Sequence, residues 1–207
     1  MGKKGIAMYK NIIFDMGGVL LDFSEARLMS YFFGHLPAQA QAQIHCAMFA
    51  SGLWRRMDRG DFDEAGTVRA ICELLPEELH APAGQMVPHY FEAMPPLPAN
   101  EMIPLLKARG QGVYLLTNAP HAFHREKFRL PYLHLFDGVL ASCDVGMLKP
   151  DPEIFRLFLQ KFGLRGEDCL FIDDVRANIE GAARAGLAGH CFEKRDLEAL
   201  RRALGIY

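Results

Sequence analysis

Short aliphatic runs recur along this sequence, at residues 11–14 (NIIF), 112–116 (GVYLL), 138–141 (GVLA), 169–172 (CLFI) and 187–192, and they constrain its fold more than any other feature. Helical patterns separate the later runs, at 100–109, 121–129, 152–162, 176–185 and 197–204. Strands that alternate with helices in this way form a parallel sheet covered by helices on both faces. The expected fold class is therefore α/β, with a Rossmann-like parallel sheet.

Residues 23–93 break the alternation. They read as helices at 25–33, 39–49, 64–75 and 84–93, with no strand among them. The segment MPPLP at 94–98 then ends the helical stretch, because proline both disfavours helix continuation and restricts its predecessor. The expected organisation is an α/β core of residues 1–22 and 94–207, interrupted by an all-helical insert over 23–93.

Composition narrows the partners. Half of the 207 residues are hydrophobic and 23% are charged, as in a globular protein. A formal charge of −2 gives no reason to expect nucleic acid or an anionic membrane as the main partner. No apolar run reaches the roughly 18–20 residues that span a bilayer. The opening MGKKGIAMYK carries three lysines, but the apolar run that follows is too short for a signal-peptide core, so a cytoplasmic location is expected. Cys46, Cys72, Cys143, Cys169 and Cys191 are odd in number and form no CxxC pair, so they are expected to be buried free thiols.

Ligand sites in open parallel sheets form beyond the carboxyl ends of the strands. The first run ends at Asp15, the second at Thr117-Asn118 and the fourth at Asp173-Asp174, while Lys149 follows the third in GMLKPDPEIF. A nucleophilic carboxylate, a hydroxyl, an ammonium and an acidic pair suit phosphoryl transfer with magnesium. Hard oxygen ligands hold the ion, cations neutralise phosphate oxygens, and an in-line carboxylate can attack phosphorus.

With these residues in order, the chain resembles the haloacid dehalogenase (HAD) superfamily over essentially its whole length. The motifs are FDMGGVL at 14–20, LLTNA at 115–119, Lys149 in KPDPEIF, and FIDDVRANIEGAARAGL at 171–187. The helical insert matches the cap that follows the first motif in this family, and WRRMDRGDFDE at 54–64 looks like its helix–turn signature. The resemblance implies that Asp15 is the nucleophile that becomes an aspartyl phosphate. It implies that Thr117 and the Asn118 backbone bind the phosphoryl group and that Lys149 screens the charge between Asp15 and phosphate. It places Mg²⁺ on Asp15, the Gly17 carbonyl and Asp174, with Asp173 bound directly or through water. The implied partner is a small phosphorylated metabolite.

The sequence departs from the family pattern at Gly17, where most phosphatases of the family have a second Asp. That residue protonates the leaving oxygen through its side chain and ligates magnesium through its carbonyl. Glycine keeps the carbonyl and loses the proton carrier, a loss worth about 10²–10⁴ in rate. The resemblance is closest to an Asp-x-Gly-Gly/Asn branch that includes glucose-1-phosphatase-like sugar-phosphate phosphatases, whose anomeric leaving oxygen needs less acid help. On that reading the enzyme should favour leaving groups of low basicity. Two other readings stand beside it: a non-catalytic protein that binds a phospholigand or a partner, and a metal-free 2-haloacid dehalogenase, for which Asp173-Asp174 would have no purpose.

Other residues have weaker claims. Asp22 is either a solvated or capping residue before Ser24 or a relocated acid. His121 and His124 follow the second motif and could carry protons. Trp54, Arg55, Arg56, Asp58 and Arg59 could face substrate from the insert, although a solvated helix face accounts for most of them.

Overall fold

The structure, a computed structural model, describes residues 9–206; of the lysines weighed above as part of a leader, Lys3 and Lys4 lie outside the described residues. Among the described residues, β1 (Asn11–Phe14), β2 (Gly112–Thr117), β3 (Gly138–Ala141), β4 (Cys169–Asp173) and β5 (Ala188–Cys191) form one sheet in the order β3-β2-β1-β4-β5. Every pairing is parallel. The first strand is central, and the chain builds outward on one side before crossing to the other. Phe14 lies between Leu115 and Ile172, so the residues after β1, β2 and β4 emerge together at the same sheet edge.

Alternation along the strands sorts the core into two layers. Ile12 and Phe14 pack with Val113, Leu115, Leu170 and Ile172, whereas Ile13 packs with Leu116, Leu140 and Phe171 on the opposite face. The Ile13 face is covered by α8 (Pro152–Phe162) and α9 (Arg176–Arg184), through Ile154, Phe155, Phe158 and Ala182. The Ile12 face receives α6 (Met102–Ala108), α7 (Phe123–Glu126) and α10 (Leu197–Leu204).

Between β1 and β2 run α1 (Glu25–Phe33), α2 (Ala38–His45), α3 (Leu53–Arg59), α4 (Glu64–Cys72) and α5 (His80–His89). Their buried residues, among them Leu28, Ile44, Met57 and Met86, are continuous with the apolar cluster of the Ile12 face. Helix starts follow local capping. Ser24, Asp151 and Asp196 accept a backbone N–H from the first turns of α1, α8 and α10, and Pro152 follows its cap where a missing N–H costs nothing.

Several boundaries differ from the sequence expectation. The helix expected at 39–49 ends at His45 and continues as a π turn over Cys46–Ala50. The helix expected at 84–93 starts at His80 and tightens to a 3₁₀ turn over Tyr90–Ala93, just after Pro88, which lacks a donor and crowds the preceding turn. The cysteines are free, but only Cys143 and Cys169 are buried; Cys46 is exposed, and Cys72 and Cys191 are half-buried. No helix among the described residues is long and apolar enough to cross a membrane.

Candidate active site

Lys149 is the hub of the site. It is 2% exposed, and its Nζ lies 2.8 Å from Asp15 Oδ1 and 2.7 Å from Asp173 Oδ2. Burial alone would lower the pKa of this ammonium, but the two carboxylates outweigh it and hold the pKa above its ordinary value. Asn118 fixes the lysine from behind: its Nδ2 donates to the Lys149 carbonyl at 3.0 Å, and its Oδ1 accepts the Lys149 N–H at 2.9 Å. The end of β2 is thereby stitched to the loop carrying the cation.

Asp15 is oriented on one oxygen only. Its Oδ1 accepts from the Met16 N–H at 2.7 Å and faces Lys149, while among the described residues no hydrogen bond or ion pair holds Oδ2. One oxygen is clamped and the other is unpartnered. Burial pushes the Asp15 carboxyl up to about 7, against the pull of Lys149 and with help from Asp173 and Asp174. Asp174 is raised to about 6 by burial and then by Asp173.

This accumulation of carboxylates fits a cation. Asp15, Asp173 and Asp174 offer oxygens within 4.8 Å of one another. Gly18, at φ +74°, leaves space that a β-carbon would fill at 1.9 Å from Asp174 Oδ2, so glycine at this position admits the carboxylate to the site. Asp173 is differently employed. It is fully buried and accepts from Lys149 Nζ, from Asn178 Nδ2 at 3.0 Å to each oxygen, and from the Val175 N–H at 2.8 Å. Its oxygens orient Lys149 and the start of α9. Asn178, five residues on and one turn into that helix, was not singled out in the sequence.

A cavity of about 350 Å³ opens over these groups. Its floor includes Asp15, Gly17, Thr117, Asn118, Lys149 and Asp174, and its roof is drawn from the insert. The Thr117 hydroxyl has one weak contact, 3.4 Å to the Asn118 carbonyl, and is otherwise available to a ligand. Position 17 has a neighbour the sequence did not reveal: a β-carbon there would stand 3.3 Å from Phe23 Cβ and 3.5 Å from its ring. Phe23 continues into an aromatic wall with Trp54 (centroids 6.0 Å apart), Phe49 (5.0 Å from Trp54) and Tyr90 (5.1 Å from Trp54). Phe49 comes from the π turn, a distortion that often marks functional sites.

Helix α3 sorts the insert candidates by face. Trp54 and Asp58, one turn apart, line the cavity, whereas Arg55, Arg56 and Arg59 are exposed. Arg56 and Arg59 both pair with Asp61, and Arg56 lies over the Phe62 ring. The candidate acids near the core lie elsewhere. Asp22 is held by Arg27 at 3.0 Å and Arg195 at 2.7 Å and does not line the cavity. His121 is exposed, and His124 pairs with Asp144 at 2.6 Å on the surface.

Known proteins place this architecture. The chain is 25% identical over 202 residues to the sesquiterpene phosphatase astK of Aspergillus oryzae, covering 91% of this chain and 96% of that one. It is 25% identical over 188 residues to the fructose-1-phosphate phosphatase YqaB of Escherichia coli, covering 86% and 94%. It also matches acyl-CoA dehydrogenase family member 10 of Mus musculus, 28% identical over 187 residues, while spanning only 17% of that protein's length. Among solved structures, magnesium-bound HAD-hydrolase YfnB of Bacillus subtilis aligns at a TM-score of 0.72 and 24% identity, over 96% of this chain and all of that one. A HAD family enzyme of Bacteroides thetaiotaomicron, in complex with magnesium and inorganic phosphate, aligns at 0.68 and 23%, over 88% and 93%. Both likenesses concern the fold. The sequence match to haloacid dehalogenase-like hydrolases extends from residue 9, just before β1, to residue 186, just beyond α9, and the chain belongs to that family.

Proposed function

We propose that this hydrolase removes phosphate from small phosphorylated metabolites through an aspartyl phosphate on Asp15. The observation that carries this reading is the divided Asp15 carboxylate, with Oδ1 held by Lys149 and the Met16 N–H and Oδ2 unpartnered. A group held in that way is set for in-line attack. Thr117 and the Asn118 backbone would receive the phosphoryl oxygens, and Lys149 would balance the charge between them and Asp15. Asp15, the Gly17 carbonyl and Asp174 would hold Mg²⁺, with Asp173 acting through Lys149 and Asn178. When bound, the ion supplies electrostatic stabilisation of the phosphoryl oxygens.

In this reading residues 1–22 and 94–207 form the catalytic core, and residues 23–93 form a cap that closes over substrate and excludes water. Asp174, admitted to the site by Gly18, argues against a metal-free dehalogenase, and the unblocked cavity argues against a merely structural site. The Asp-x-Gly-Gly motif favours a sugar phosphate, whose ring can stack its C–H face on Trp54 while Ser24 and Glu25 meet hydroxyls. The aromatic wall of Phe23, Phe49, Trp54 and Tyr90 supports a second substrate class, phosphates of larger apolar or flat alcohols.

The test is phosphate release across sugar phosphates, nucleotides, prenyl phosphates and acyl phosphates, with and without Mg²⁺. Metal-dependent turnover that disappears in Asp15→Asn supports the proposal, because an amide is a poor nucleophile. Turnover that persists in that variant sinks the covalent route.

A further inference from the structure

Position 17 lacks the proton carrier of related phosphatases, and Phe23 crowds the place a side chain would take there, 3.3 Å from a β-carbon. The other candidates near the core are also disqualified. Asp22 is clamped between two arginines, while His121 and His124 lie outside the cavity. Two carboxyls of the insert line the cavity: Glu25 is paired with His45 at 2.8 Å, whereas Asp58 has no such partner.

Asp58 is 9% exposed and lines the same cavity as Asp15, Thr117 and Lys149. Among the described residues its carboxyl has no hydrogen bond and no ion pair, although isolated buried carboxyls are expensive and structural ones find partners. Its place is nevertheless firmly built. The Asp58 carbonyl accepts from Ser142 Oγ at 2.5 Å, and that same hydroxyl accepts the Ala119 N–H at 2.9 Å, in the loop that follows Thr117. Gly60, at φ +87°, brings the end of α3 so close to the core that a β-carbon would stand 2.9 Å from the Cys143 carbonyl. The carboxyl is thus anchored through its backbone to the phosphate-side loop, while its side chain is left open to the cavity.

We infer that Asp58, carried into the cavity by the insert, is the catalytic acid and base that position 17 lacks; this rests on the phosphohydrolase reading above. Its surroundings raise the pKa of the carboxyl well above the ordinary carboxylate value and so favour the protonated form. Burial is the largest cause, Asp15 opposes ionisation from the core, and Lys149 and Arg55 act weakly the other way. Tyr90 and Cys143 also neighbour it and are themselves held neutral by burial. The C-terminal end of α3 further disfavours a negative charge.

The proton balance closes. As the Asp15–phosphorus bond forms and the bond to the leaving oxygen breaks, the Asp58 proton passes to that oxygen and the alcohol departs. The Asp58 carboxylate then takes a proton from water, whose oxygen attacks phosphorus and displaces Asp15. Inorganic phosphate leaves, and Asp58 is again the acid. A preference for leaving groups of low basicity, expected from Gly17 alone, therefore belongs to an enzyme without Asp58 and not to the native one.

The experiment compares native enzyme with Asp58→Asn on a series of phosphate esters whose alcohols span a wide basicity range, with Mg²⁺ present. The native rate should depend weakly on the leaving group. Asp58→Asn should lose about 10²–10⁴ on alkyl esters and much less of the first step on p-nitrophenyl phosphate, with a burst of nitrophenol because water is no longer activated. In the native pH profile, activity on alkyl esters should fall as pH rises through the raised pKa of Asp58, and that limb should vanish in the variant. Binding of inorganic phosphate, followed by fluorescence of Trp54, the single tryptophan, reports whether the variant's site is intact. An equal loss on every ester, or no loss, overturns the role of Asp58. No turnover of any ester by the native enzyme overturns the phosphohydrolase reading and this one with it.

Discussion

Replacing Gly17 with Asp should damage this protein instead of repairing it. The substitution supplies the residue that related phosphatases carry, and glycine's backbone there is not in the left-handed region, so no conformational strain opposes it. The obstacle is Phe23. A β-carbon at 17 meets Phe23 Cβ at 3.3 Å, and a carboxylate extended from it meets the ring or turns toward Asp15 and Asp174, which are already raised to about 7 and about 6. Forcing extra atoms into a packed wall costs about 1–3 kcal/mol, so Gly17→Asp should lower unfolding free energy by that amount. Truncating Phe23 makes room, and the Gly17→Asp/Phe23→Ala pair should show a favourable coupling of about 0.5–3 kcal/mol. Urea unfolding of the four proteins without metal measures the cycle. No gain in phosphatase rate should accompany Gly17→Asp with Phe23 intact. A single variant as stable as the native protein, or strictly additive effects, would refute the claim that Phe23 excludes an acid from this position.

Two further perturbations test the floor of the site. Lys149→Met removes the cation that bridges Asp15 and Asp173, and breaking a buried pair in this way costs about 3–5 kcal/mol. Asp15 already has a folded pKa of about 7 against an unfolded value near 3.8, so the native state binds the extra proton and its stability falls as pH rises between those values. Without the cation that fall should steepen, and urea unfolding should show a greater loss at pH 8 than at pH 5; the reverse order would contradict the assignment of Lys149. Gly18→Ala places a methyl 1.9 Å from Asp174 Oδ2 and requires a left-handed alanine, a strain of about 1–3 kcal/mol. Thermal unfolding with and without Mg²⁺ should show the native protein stabilised by metal, and Gly18→Ala and Asp174→Asn should both lose that stabilisation.

The sheet and much of the site were legible because their signals are local. Ile12, Ile13 and Phe14 are all buried, as a central parallel strand requires, and such strands read as uninterrupted apolar runs. Helices were bounded correctly where a cap announced them, at Ser24, Asp151-Pro152 and Asp196. The same locality explains the errors. Nothing within residues 39–49 announces the π turn at Cys46–Ala50, and the pattern at 84–93 conceals the effect of Pro88. Asp173 appeared as one of an acidic pair, and the hydrogen bonds from Lys149 and Asn178 separate its orienting role from half-buried Asp174, which lines the cavity.

Asp58 shows why the remainder was not legible. In WRRMDRG it sits among arginines and reads as one residue of a charged surface helix. Its spacing of four from Trp54 is the one local sign that it shares an inward face, and that sign does not say what the face meets. The meeting is set by Ser142, 84 residues away, and by a close approach of Gly60 to Cys143 across the boundary between insert and core. Those contacts also explain how a glycine can stand at position 17. Once the insert delivers a carboxyl over Asp15, the flap beside the nucleophile no longer needs to carry one, and the vacated wall can be aromatic. On the reading proposed above, Gly17, Phe23 and Asp58 are a single arrangement divided between two segments: a proton carrier on the insert would tie proton transfer to closure of the insert over the site, so that the leaving oxygen would meet its acid only when the site is covered and water is excluded.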